Sequence, residues 1–215
     1  AGGFCVMKYE AKCAAIADPT TGLTSPDTGY QTYCNNGAAA CTGEVGGGAD
    51  ACTSANSKQV VSTASGYPIA NISQTDAKTY CSALGTGYHL ITNNEWMTIA
   101  RNIEKRGENW TSGTVGTNGL YRGHSDNTPA TALAANSDDS EGYEGTGNSS
   151  PSQEKRTFTL SNGEVIWDLS GNVWEWNQDT IKRKDQPHST TAPDNTFNWK
   201  EFTSVDDYGT MSYAS

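Results

Sequence analysis

Positive charge is scarce in this 215-residue sequence: Lys plus Arg number 14 against 24 Asp plus Glu, for a net charge of −10. So acidic a surface repels phosphate backbones, which excludes nucleic acid as the expected partner. No apolar run approaches the ~20 residues that span a bilayer. The opening Ala1-Gly2-Gly3-Phe4 has neither the basic head nor the apolar stretch of a secretory leader, so the expected form is a processed chain or an excised ectodomain. Zinc-type spacing is missing too, because no Cys-x-x-Cys pair occurs and no histidine stands near a cysteine at finger spacing. His89, His124 and His188 share no spacing that suggests a metal site or a triad, and no nucleophile is paired with a base. Nor does any cysteine follow Cys81.

Charged residues make up only 18% of the chain, below the usual 25% or so, while glycine reaches 23 residues. The profile is that of a single loop-heavy globular domain over 1–215, long enough to bury a core. The six cysteines, Cys5, Cys13, Cys34, Cys41, Cys52 and Cys81, are even in number and read as disulfides formed in an oxidising compartment. Six cysteines allow 15 pairings, and spacing does not choose among them. The sequons at Asn71, Asn109 and Asn148 matter only in a glycosylating host.

Phe4 to Glu10 alternates as a strand. From about 18 to 66 the chain is Gly, Ala, Ser, Thr and Asn punctuated by Cys34, Cys41 and Cys52, which reads as a disulfide-stapled surface insertion. Ser73-Gln74-Thr75-Asp76 resembles a capping box and opens a helix whose apolar stripe is Ala77, Tyr80, Cys81 and Leu84, stopping at Gly85. Thr92-Asn93-Asn94-Glu95 opens a second, with Trp96, Ile99, Ala100 and Ile103 on one face and an end near Gly107. After an irregular stretch over 109–152, Arg156 to Leu160 and Glu164 to Asp168 flank Asn162-Gly163, a strong two-residue hairpin signal. Asn172 to Asn177 is a third strand candidate; on it Trp174 and Trp176 would share a face, and aromatics so placed are expected in the core, not on a sugar-stacking platform.

The segment Trp167-Asp168-Leu169-Ser170-Gly171-Asn172-Val173-Trp174-Glu175-Trp176 closely resembles the hallmark of the formylglycine-generating enzyme (sulfatase-modifying factor) domain family. Supporting stretches come in the family's order: Phe4 to Glu10, Pro68 before Ile72-Ser73, Ala77 with Tyr80-Cys81, Leu90 to Trp96 with Ile99-Ala100-Arg101, and Tyr121-Arg122-Gly123. The resemblance runs over about 4–179. It implies an α+β, C-type-lectin-like fold with two short helices, a small antiparallel sheet and long irregular loops tied down by calcium.

By that resemblance one calcium site uses Asp168, the carbonyls of Gly171 and Val173, and Glu175, oxygen donors of the kind calcium selects. The alternative is that Asp168 caps a turn and Glu175 pairs with a lysine. A second site would use Asn109, the carbonyl of Trp110, Glu141 and the carbonyl of Tyr143. The family prefers Asp where Glu141 stands, Asp138 or Asp139 could substitute, and the alternative is a solvated acidic loop.

The family contains copper-dependent oxidases that convert a substrate cysteine to formylglycine. It also contains non-catalytic binding proteins, among them the variable proteins of diversity-generating retroelements. In the oxidases two active-site cysteines lie downstream of the Gly-Asn-x-Trp-Glu-Trp core, and here nothing matches them, so the C-terminal part of the family domain reads as absent and the enzyme reading is disfavoured. The expectation is a secreted or cell-surface domain that binds a protein or cell-surface ligand and has no membrane span. Its rivals are the N-terminal part of an oxidase and a self-assembling structural subunit of a surface filament.

Overall fold

The computed structural model describes residues 3–22, 52–70, 72–125, 132–135 and 154–180. The chain divides into two compact units, Ala1–Gln178 and Asp179–Ser215. The second contributes only Asp179 and Thr180 to the described residues.

In the first unit, β1 (Lys12–Ala15) is the centre of a three-stranded antiparallel sheet between β2 (Asp18–Gly22) and β3 (Lys58–Val61). The register pairs Cys13 with Val60 and Ala14 with Gln59, and it slips between Ala14 and Ala15 on the β2 side. Helix α1 (Gln74–Ser82) starts at Ser73, whose hydroxyl accepts from the Asp76 N–H. Helix α2 (Asn93–Ile103) starts with the reciprocal capping box between Thr92 and Glu95. A second antiparallel sheet is the hairpin of β4 (Thr157–Thr159) and β5 (Val165–Trp167), with Phe158 opposite Ile166.

Two apolar clusters follow from the two helix stripes. Tyr80 of α1 packs with Cys52 and Val60, flanked by Met7, Cys13, Ile69 and Leu84. Ile99 and Ile103 of α2 pack on Phe158 and Ile166, flanked by Leu120, Tyr121 and Leu160. The other face of the hairpin is buried as well, because Thr157 and Trp167 are each 2% exposed.

The architecture is therefore α+β, with the two short helices and small antiparallel sheets expected. Both helices and the hairpin stand where the sequence puts them, but the hairpin turn is three residues, Ser161 to Gly163, and not two, because Leu160 faces Glu164 and Gly163 takes φ of +87°. Three expectations need correction. Phe4 to Glu10 is not a strand: it bends at Lys8 and Tyr9 and is held by single ties, from the Trp167 N–H to the Lys8 carbonyl and between Tyr9 and the Ser62 hydroxyl. The strand itself lies later, at Lys12–Ala15. Asn172 to Asn177 makes no ladder either, because Asp168, Gly171 and Asn172 adopt φ of +53°, +90° and +65° and turn the chain out of strand geometry. In consequence Trp174 and Trp176 are 89% and 50% exposed, and of the three hallmark tryptophans only Trp167 is in the core.

The borders of the 18–66 segment are ordered into β2 and β3, and Cys13 and Cys52 form a disulfide across its base. Among the described residues Cys5 and Cys81 are joined to no other cysteine. Cys34 and Cys41 lie outside the described residues. Cys5 is exposed, whereas Cys81 is half-buried and burial pushes its thiol up. Titration of the native, non-reduced protein with a chromogenic disulfide should therefore show Cys5 reacting fast and Cys81 slowly; complete absence of free thiol after unfolding would contradict the structure.

The start of α2 carries a pH dependence whose sign is fixed. The Thr92 backbone N–H, the His89 ring and the Thr92 hydroxyl hold the Glu95 carboxyl down to about 2. Its contribution is present above the ordinary carboxylate pKa and is lost as pH falls through about 2. Glu95 raises the His89 pKa in turn, so that share is present below the ordinary histidine value and lost as pH rises through the raised one. Replacing Thr92 by Ala should cost about 1 kcal/mol in urea unfolding at pH 6. Glu95→Gln should lose less stability than wild type between pH 5 and about 2.

Candidate functional site

The hallmark decapeptide starts inside β5 and ends in an exposed extended segment, so its turn sits where the hairpin leaves the core. Trp167 lies between the Tyr9 ring, 6.1 Å away between centroids, and the Arg156 guanidinium, 5.4 Å from its ring. The next residue, Asp168, is 2% exposed and faces the same arginine. Arg156 Nε and Nη2 donate to Asp168 Oδ1 and Oδ2 at 2.6 Å each, a bidentate pair that uses both carboxylate oxygens. The Asp168 N–H donates to the Arg156 carbonyl at 2.7 Å, so backbone and side chain lock the same two residues together.

Arg156 also donates to the carbonyls of Ala134 (2.8 Å) and Leu133 (3.2 Å). The Leu133 N–H in turn donates to Asn172 Oδ1 at 2.7 Å. One guanidinium thus organises the hairpin, the 132–135 segment and the hallmark turn. The turn is also pressed against the Tyr121-Arg122-Gly123 stretch. A Cβ on Gly123 would lie 1.8 Å from the Ser170 carbonyl oxygen and one on Gly171 2.5 Å from that of His124, while the Asn172 N–H donates to the same His124 carbonyl at 2.7 Å. Two backbones cross here with no room for a methyl group, which is why both positions are glycine.

Carboxylates converge on this crossing. Asn172 Nδ2 donates to Glu10 Oε2 at 2.5 Å, while Glu10 Oε1 is buried with no hydrogen-bond partner. Burial, then the charges of Asp168 and Glu175, push the Glu10 carboxyl well above its ordinary value. Glu175 presents exposed surface as a residue, yet desolvation of its carboxyl and the charge of Asp168 push it up to about 7. Burial also pushes Asp168 up, and Arg156 pulls against it. Lys12, 1% exposed, donates to the carbonyls of Thr63 and Ala64; burial brings its amine down to about 8, with Glu10 and Asp168 opposing.

The donor set fits a hard divalent cation. Glu175, Glu10 Oε1 and the carbonyls of Gly171 and Val173 accept no hydrogen bond among the described residues. Among those residues no three His, Cys, Asp or Glu side chains form a metal cluster alone, so a cation would need backbone carbonyls, which calcium accepts. As for the alternative weighed for this turn, Asp168 is engaged by an arginine, and Glu175 pairs with no lysine among the described residues.

The second proposed site is built differently. Asn109 is fully buried, with Nδ2 donating to the carbonyls of Ile103 (3.0 Å) and Thr159 (2.8 Å) and Oδ1 accepting from the Thr159 N–H (2.9 Å). Its amide therefore stitches the end of α2 to β4, and the Trp110 carbonyl accepts from the Gly113 N–H at 2.8 Å. Glu141 and Tyr143 lie outside the described residues, as do Asp138 and Asp139.

A family model described as the sulfatase-modifying factor enzyme 1-like domain matches residues 21–207. The chain belongs to this family. Its C-type-lectin-like fold is accordingly that of the sulfatase-modifying factor domains. No curated protein and no solved structure matches the chain. Sequence reasoning named Asp168, Gly171, Val173 and Glu175 but missed Glu10, Arg156 and Asn172. The clue to Glu10 and Arg156 was present, since each sits in a polar position next to an apolar alternation, but only the tertiary crossing brings them to the turn.

Replacing Arg156 by Met should destabilise the protein by about 3–5 kcal/mol in urea unfolding with chelator present, because Asp168 would be left buried without its cation. A loss under about 1 kcal/mol would mean that the pair is not what holds the turn.

Proposed function

We propose that this family member acts by binding: a secreted or cell-surface domain whose turn at 168–175 is braced by calcium and which presents its surface to a protein or cell-surface ligand. The observation that carries the binding reading is the exposure of Trp174 and Trp176 on a segment that is tied at several points to its neighbours. The free thiols support it. Burial pushes Cys81 up, the opposite of what a nucleophilic or redox cysteine requires. The Cys13–Cys52 disulfide agrees with an oxidising compartment. Among the described residues no helix is long and apolar enough to cross a membrane.

The binding surface we favour is the exposed end of the hallmark. Trp174 and Trp176 are exposed on a segment fixed at several points. Trp176 Nε1 donates to the Ile72 carbonyl at 2.7 Å, Gln74 Nε2 to the Asn177 carbonyl at 2.8 Å, and the Gln178 N–H to the Ile91 carbonyl at 2.7 Å. Aromatics mounted rigidly at a surface lose little conformational entropy on contact, which favours recognition. The second reading, an oxidase acting on a substrate cysteine, is favoured by family membership alone.

Calcium should raise the melting temperature by several degrees over chelator, since a ligand bound only to the folded state stabilises it by mass action. An identical transition in both would remove calcium from the reading. Incubation with a Cys-x-Pro-x-Arg peptide, oxygen and copper should leave the peptide cysteine unchanged by mass spectrometry, and aldehyde formation would establish the oxidase instead.

A further inference from the structure

The hallmark turn has lost one of its side-chain donors to an internal partner. Both oxygens of Asp168 are held by Arg156 at 2.6 Å, in a pair whose members are 1% and 2% exposed, so the Asp168 charge already has a cation of its own. Another carboxylate stands unsatisfied at the same place. Glu10 reaches the turn from the opening segment, anchored through Oε2 by Asn172, and its Oε1 is shut off from water with nothing to bond. A buried carboxylate oxygen without a donor costs more than almost any other polar group, and a fold retains one where something else completes it.

We propose that Glu10, not Asp168, is the second carboxylate of the cation site, which Glu10 and Glu175 form with the carbonyls of Gly171 and Val173. Four residues whose oxygens accept no hydrogen bond there among the described residues, Glu10 through Oε1, are thereby assigned to one hard cation. Asp168 becomes a positioning residue: paired with Arg156, it sets the turn but does not touch the ion. The consequence is structural as well as chemical, since a cation held by Glu10 ties the opening segment to ligands 161 to 165 residues further along the chain. The assignment rests on the calcium reading above and replaces one ligand that the family hallmark implies.

The test is calcium titration by calorimetry, with wild type and Glu10→Gln, which keeps the side chain's shape and can still accept from Asn172 through its remaining oxygen. Glu10→Gln is expected to bind calcium roughly tenfold more weakly or worse, while its melting temperature in chelator stays level or rises because an unneutralised buried charge is gone. Equal affinity in the two proteins overturns the role of Glu10 and leaves the calcium reading standing. No binding to wild type at millimolar calcium overturns both. Hydrogen exchange on wild type gives a readout that needs no variant: calcium should slow the amides around residues 8–12 together with those around 168–178, and slowing at the turn alone rejects Glu10 as a ligand.

Discussion

The pair between Arg156 and Asp168 is the constraint on which the rest of the first unit depends. It is made from adjacent strands of one hairpin, yet its remaining donors reach the 132–135 segment, and the turn it fixes receives Asn172, Glu10 and the His124 carbonyl. A lone Asp168 in that position would leave a carboxylate in a low-dielectric interior, and a lone Arg156 a guanidinium. Each therefore requires the other. Stacking of the guanidinium on Trp167 adds an aromatic face to the same lock.

Burying charge is an inefficient way to gain stability, since a well-packed apolar replacement is often as good or better. Its retention here is explained by what the charges arrange. Glu10, Asp168 and Glu175 give three carboxylates against the two cations Lys12 and Arg156, and the carboxylate in excess is not neutralised by hydrogen bonds: Glu10 Oε1 has none. Burial first, and then the neighbouring carboxylate charge, pushes the Glu10 and Glu175 carboxyls up. A bound divalent ion would reverse both effects, because it supplies the missing charge and accepts lone pairs from the oxygens that lack partners.

Local signals were read well from the sequence and long-range ones poorly. The capping residues Ser73 and Thr92 and the Asn162-Gly163 turn act within a few residues of themselves, so composition and spacing suffice to place α1, α2 and the β4–β5 hairpin. The opening segment alternates like a strand but has no ladder partner, because β3 runs alongside Lys12–Ala15 instead. Trp174 and Trp176 were assigned to a core face on the premise of a strand, and three left-handed residues at 168, 171 and 172 removed that premise. The same left-handed run needed no homologous example to be suspected: Gly171 and Asn172 are residue types that tolerate it. Asp168, at φ of +53°, is also of a type that tolerates the left-handed region, and its side chain is held there by Arg156.

The Gly123 and Gly171 crossing explains why so short a hallmark can be so restrictive. Ser170, Gly171 and Asn172 must pass beside Gly123 and His124 at a separation that excludes even a methyl group, and the Asn172 side chain must then reach both Leu133 and Glu10. Trp167 before the turn is committed to the core, whereas Trp174 and Trp176 after it are directed outward while their segment stays tied to Ile72, Gln74 and Ile91. The decapeptide is thus one rigid lever with a buried end and an exposed end. Its fulcrum is the cluster of charges, so any ion that settles there acts on the fixed geometry of the exposed tryptophans without touching them.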